Sequence, residues 1–201
     1  HVMDQSKLGY QSPSEKLIQS LEQLDTLSMQ IIVDASQLRL DPKDIQNYLN
    51  KGCIVTITGS KYFTGPPYSG ALIVPKNVSQ TIQDVTIKIP KGLTNYYNRT
   101  DWPIAWHCSS DLSEGFNYGS NMRWNAAIVE MDRYYKTPVL YRNMGIEMFC
   151  NFIEDSIKEA TFLQPIYGDE TKTKSFDSTE FGIRNIRTIF PFFILKNGEA
   201  L

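Results

Sequence analysis

Apolar and polar positions alternate along the chain in two periods. In "SPSEKLIQSLEQL", Leu17, Leu21 and Leu24 repeat at the spacing of one helix face, Ser12 is placed to cap, Pro13 suits the first helical position, and Glu15 completes a capping box. A surface helix packed on a sheet is predicted there. "MQIIVDAS" is a short β-branched run that reads as a buried parallel strand with Asp34 at its carboxyl end. "LDPKDIQNYLNKG" predicts a helix with Asp41 as cap, Pro42 in first position, Leu40 and Ile45 as a hydrophobic staple, and Gly52 as the stop. "CIVTIT" is a second buried strand, so residues 30–60 make a strand, helix, strand unit. Its right-handed crossover sets the two strands parallel. Asp34 and Lys61 then leave the sheet at one edge, and "SGALIVP" adds a further strand.

The pattern changes between Pro75 and Pro90. Beyond it lie a stretch rich in Tyr, Trp and Asn (93–119), two helices, a polar loop (168–180) and a terminal strand in "IRTIFPFFIL", which Pro191 marks as an edge or bulge. The first helix is expected to bury Trp124, Ile128, Met131 and Tyr135, and the second Ile146, Phe149, Cys150, Ile153 and Ile157. The fold class is α/β: residues 1–85 hold a mostly parallel sheet, and residues 86–201 form an α+β domain.

Charge and composition narrow the function. Twenty Lys and Arg stand against 22 Asp and Glu, with the basic residues scattered among acids, which removes the basic stripe that nucleic-acid binding needs. No apolar run approaches the roughly 20 residues of a membrane span and no leader pattern is present, so the expectation is a cytoplasmic protein with no membrane partner. Cys53, Cys108 and Cys150 are too widely spaced for a disulfide framework or a zinc site. His1 and His107 are the two histidines, and "DWPIAWHCSS" favours a packed, hydrogen-bonded His107 over a catalytic or metal-binding one; no metal is expected. "TGSK" lacks the glycine spacing of a phosphate-binding P-loop, because position 55 is Val and Lys61 is followed by Tyr62.

Candidate chemistry centres on "VTITGSKYFTGPPYSGALIVP". An amine that attacks an aldehyde must shed its proton, and apolar walls favour the neutral form, so Lys61 after an apolar strand is a candidate nucleophile. Asp34 at the neighbouring strand end suits a proton on a pyridine nitrogen. Gln37 can hydrogen-bond a phenolic oxygen, and Thr58 and Ser60 offer hydroxyls to a phosphate. "VDASQLRL" followed by "TGSKYFTGPPYSGALIVP" resembles fold-type I pyridoxal-phosphate enzymes, especially the class V aminotransferase and cysteine desulfurase group.

The resemblance implies pyridoxal 5'-phosphate as cofactor, Lys61 as the Schiff-base lysine, Asp34 as partner of the pyridine nitrogen, Gln37 as donor to the phenolate oxygen, and Thr58 as a phosphate ligand. Gly65, Pro66 and Gly70 match the trailing motif. It implies a transferase or lyase acting on an amino acid or other amine, assembled as a homodimer. Ser60 stands where the desulfurase branch usually has histidine. Members of the group are about twice this length, so the chain reads as a fragment: the end of the large domain plus the small domain, inactive in isolation. The second reading, from another class, is a catalytically inactive binding or scaffold module of the same fold, using its many tyrosines for contacts. Arg184 and Arg187 are weaker candidates for a substrate carboxylate, and Arg123 reads as a helix-surface ion-pair residue.

Overall fold

A computed structural model describes residues 1–4, 12–13, 20, 29–166, 188–196 and 198–200. Its strands are β1 (Val2–Met3), β2 (Ile32–Asp34), β3 (Ile54–Thr58), β4 (Gly70–Ile73), β5 (Leu163–Pro165), β6 (Phe192–Lys196) and β7 (Glu199–Ala200). The helices are α1 (Pro42–Asn50), α2 (Lys76–Gln83), α3 (Tyr118–Lys136) and α4 (Val139–Glu159). Most of the helix expected from Pro13, the polar loop 168–180, Arg184 and Arg187 lie outside the described residues. Among those residues, no helix is long and apolar enough to cross a membrane.

The chain divides into two compact units, one of His1, Met29–Leu38 and Ile45–Met131, the other of Val2–Ser28, Arg39–Asp44 and Asp132–Leu201. In the first, β2 and β3 run parallel with Ile32 opposite Ile54, Val33 opposite Val55 and Asp34 opposite Thr56. Val33 and Val55 are fully buried, as β-branched side chains in a covered sheet should be. Between the two strands, α1 ends where Gly52 takes a left-handed backbone with φ of 78° and donates its N–H to the Leu49 carbonyl at 2.9 Å. Glycine adopts that conformation without strain and stops the helix as expected. At the other end of α1, the Asp41 N–H donates to Asp44 Oδ2 at 3.2 Å, so the first-turn acid closes back on the capping position.

The mostly parallel sheet gives way to a mixed one. Strand β4 pairs antiparallel with β3, Val55 opposite Ile73 and Thr58 opposite Gly70. The link from Gly59 to Ser69 carries no helix, and a parallel return needs a crossover of about a dozen residues or more. The chain therefore folds straight back, and the Gly59 N–H closes the loop on the Ser69 carbonyl at 2.9 Å.

Helix α3 meets this loop through its smallest side chain. Ala127 is fully buried, and a methyl group placed on Gly59 would collide with its Cβ; one placed on Gly65 would come within 2.7 Å of it. The expected stripe is corrected in part: Trp124 and Met131 are half-buried on the side of Ala127, whereas Ile128 is 51% exposed and Tyr135 is also exposed, because close approach to bare backbone places alanine at the centre of the contact. In the second unit, β5, β6 and β7 form an antiparallel sheet. There α4 buries Asn143, Cys150 and Ile157, with Ile146 and Ile153 half-buried on the same line. Phe149 falls off that line and is 64% exposed.

The contact of α3 with the loop predicts a specific coupling. Gly59→Ala lowers stability by about 1–3 kcal/mol through overpacking, and Ala127→Gly lowers it by about 1 kcal/mol through helix propensity. In denaturant titrations the double variant loses less than the two losses added together. Strict additivity would contradict the close approach.

Candidate functional site

The register of β2 and β3 sets two polar strand ends side by side. Asp34 closes β2, and its Oδ1 accepts the Ser36 N–H at 3.0 Å, the short loop by which an aspartate turns the chain two residues on. Across the pair, the Thr56 hydroxyl lies 3.4 Å from the same oxygen. The Leu38 N–H donates to the Ala35 carbonyl at 2.7 Å and closes the turn, with Leu38 buried at a φ of 50°. Gln37 occupies this turn, half-buried.

Beyond β3, the Thr58 and Ser60 hydroxyls are 2.8 Å apart, and the Ser60 N–H donates to Thr58 Oγ1 at 3.2 Å. This side-chain turn fixes the backbone just before Lys61. The Thr64 N–H then donates to the Lys61 carbonyl at 3.0 Å and the Gly65 N–H to the Gly59 carbonyl at 2.9 Å, which folds the segment into a tight loop. Thr64 and Tyr68 both hold left-handed backbone, with φ of 53° and 64°. Such conformations strain a residue with a Cβ and persist where the surroundings fix them.

From this loop Lys61 reaches toward the Asp34 turn, and its Nζ donates to Ser36 Oγ at 3.1 Å. Lys61 and Asp34 thus meet through one residue, the amine on the Ser36 hydroxyl and the carboxylate on the Ser36 N–H. Hydrogen bonding from the Ser36 side chain, then from the Ser36 N–H, holds the Asp34 carboxyl below its ordinary value, and the Lys61 charge and the Thr56 hydroxyl add to this against the opposing effect of partial burial. Asp34 is accordingly an anion at neutral pH. Lys61 itself is exposed, so the apolar walls expected around it are not what defines its setting. A solvent-reachable amine beside a fixed carboxylate can condense with a carbonyl compound and can exchange protons with it.

The structure thus brings Asp34 and Lys61 together. Thr58 and Ser60 bond each other at the foot of the same loop, and Gln37 follows Asp34 in its turn. Ser36 is the member that sequence reasoning missed; its hydroxyl is visible in "DASQ", but nothing in the spacing shows that a lysine from the next strand ends on it. His107 departs from expectation: its side chain is 63% exposed, 4.0 Å from Asp84, and the packed group is its neighbour Trp106, whose Nε1 donates to Ser79 Oγ at 2.9 Å. Arg123 lies 5.9 Å over the Tyr68 ring, so an aromatic face takes the place of the expected acid. None of the three cysteines is in a disulfide. Among the described residues, no group of three or more His, Cys, Asp or Glu side chains is placed to hold a metal.

Family models, curated proteins and solved structures were all compared with the chain, and none matches.

The depressed Asp34 carboxyl makes a signed prediction. An acid whose folded value lies below its unfolded value, about 3.9, adds stability above that pH and loses it as pH falls through the folded value. Asp34→Asn should therefore reduce the melting temperature at pH 6, and the gap to the parent should shrink steadily below pH 4. A gap that stays constant to pH 2 would show that Asp34 is not held as an anion.

Proposed function

We propose that the chain carries the lysine-bearing part of a pyridoxal 5'-phosphate-dependent transferase or lyase that acts on an amino acid or other amine. The observation that carries this reading is the 3.1 Å bond from Lys61 Nζ to Ser36 Oγ, which brings the amine beside the ionised Asp34. The donor set fits the cofactor: a reachable amine for its aldehyde, an anion for its ring nitrogen, and hydroxyls at the start of the lysine loop. When bound, the cofactor supplies an electron-withdrawing ring that stabilises negative charge on the substrate carbon.

Each residue then has a task of its own. Lys61, exposed at the tip of its loop, would hold the cofactor through its aldehyde. The same amine would serve as base and acid for a proton at the substrate carbon. Asp34 keeps a proton on the ring nitrogen. Gln37 hydrogen-bonds the ring oxygen from the turn after Asp34. Ser60, half-buried, offers its hydroxyl to the phosphate, and Thr58, buried beneath it, braces that hydroxyl.

The assembled enzyme in this reading is a cytoplasmic homodimer, which cysteines outside any disulfide suit. A binding or scaffold module is the second reading, and the strong exposure of Tyr68, Tyr96 and Tyr118 favours it.

Incubation of the full chain with pyridoxal 5'-phosphate, reduction with borohydride and peptide mass mapping separates the two. The enzyme reading expects one dominant adduct at Lys61 and a visible absorption band, both abolished in Lys61→Ala. No adduct, or adducts spread evenly over the surface lysines, would overturn it.

A further inference from the structure

We infer that Ser36 is a positioning residue, whose hydroxyl holds the Lys61 amine at the strand edge and so presents it to an incoming aldehyde. The inference deepens the function proposed above and rests on it for the identity of the aldehyde, though not for the geometry.

Three features carry it. The backbone that carries the Ser36 hydroxyl is fixed, since its N–H is bound to Asp34 Oδ1 at 3.0 Å and the turn around it is closed by Ala35 and Leu38, both buried. The lysine stem is not fixed: it is exposed and has four rotatable carbons, so a single bond at its tip decides where the amine spends its time. Finally, a hydroxyl oxygen has lone pairs with which to accept, so Ser36 Oγ can receive the Lys61 N–H at 3.1 Å. No ion pair among the described residues joins Lys61 to Asp34 directly. The Ser36 N–H and the Thr56 hydroxyl both approach the carboxylate at Oδ1.

A proton relay from Lys61 through Ser36 to Asp34 is the competing use of the same three residues. It is disfavoured because the Asp34 carboxyl is held below its ordinary value and is a poor acceptor. Orientation is what remains for the hydroxyl to supply.

Two reactions of the full chain read this out in opposite directions. Competitive labelling with acetic anhydride, without cofactor, measures how free the Lys61 amine is; trapping with pyridoxal 5'-phosphate and borohydride measures how well it is aimed. In Ser36→Ala, anhydride labelling of Lys61 relative to the other lysines should rise about twofold to fivefold, the worth of one modest hydrogen bond. Capture of pyridoxal 5'-phosphate at Lys61 should fall by a similar factor. Ser36→Thr, which keeps the hydroxyl, should return both values toward the parent. Ser36→Gly, which keeps the backbone N–H to Asp34, should repeat the alanine result should circular dichroism show the alanine variant misfolded. Unchanged anhydride labelling in the hydroxyl-free variants, both reactions moving together, or a threonine variant that behaves like alanine would each overturn the inference. A parent chain that labels with anhydride but captures no pyridoxal 5'-phosphate would instead remove the proposed function, and the labelling comparison would still decide the role of Ser36.

Discussion

Parallel pairing of β2 with β3 is the constraint from which the rest of the site follows. Because side chains alternate along a strand, a slip of one residue would exchange the buried Val33 and Val55 for their neighbours and carry Asp34 away from Thr56. The apolar positions hold that register, and the ladder continues one step further as the Ala35 N–H donates to the Thr56 carbonyl at 3.0 Å. The polar ends of both strands are thereby delivered to one edge. That edge, outside the carboxyl ends of parallel strands, is where open α/β sheets gather reactive groups.

The loop that carries Lys61 depends on a second constraint, close packing against bare backbone. Gly59 and Gly65 leave room for Ala127, and the internal hydrogen bonds of the loop are satisfied within the same few residues. Ser69, fully buried, gives its hydroxyl to the Pro66 carbonyl at 2.9 Å, so no polar group is stranded at that corner. A rigid loop of this kind holds a flexible lysine at a defined root. The tip is then placed by a single hydrogen bond to Ser36 instead of by packing.

Much of this was legible in the sequence, because it is encoded locally. The strand, helix, strand unit follows from two short β-branched runs, Pro42 at a helix start and Gly52 at its stop, and each of these acts within a few residues of itself. What depends on distant partners was not legible. Ala127 is buried because of two glycines some sixty residues earlier, and no helical periodicity within α3 favours alanine over Ile128. The antiparallel return of β4 is a matter of loop length more than of strand composition. At the site, Asp34 and Lys61 could be placed at one edge from topology alone, while the role of Ser36 needed the side-chain path across the two strands.

Side-chain NMR of Lys61 during an acid titration tests most directly whether the amine and the carboxylate share that edge. Asp34 titrates below the ordinary carboxylate range, and the resonances of the Lys61 terminal methylene should follow that step, with the step absent in Asp34→Asn. Lys61 resonances that run flat through the Asp34 titration, or that change identically in the parent and the asparagine variant, would place the two groups apart and contradict the account.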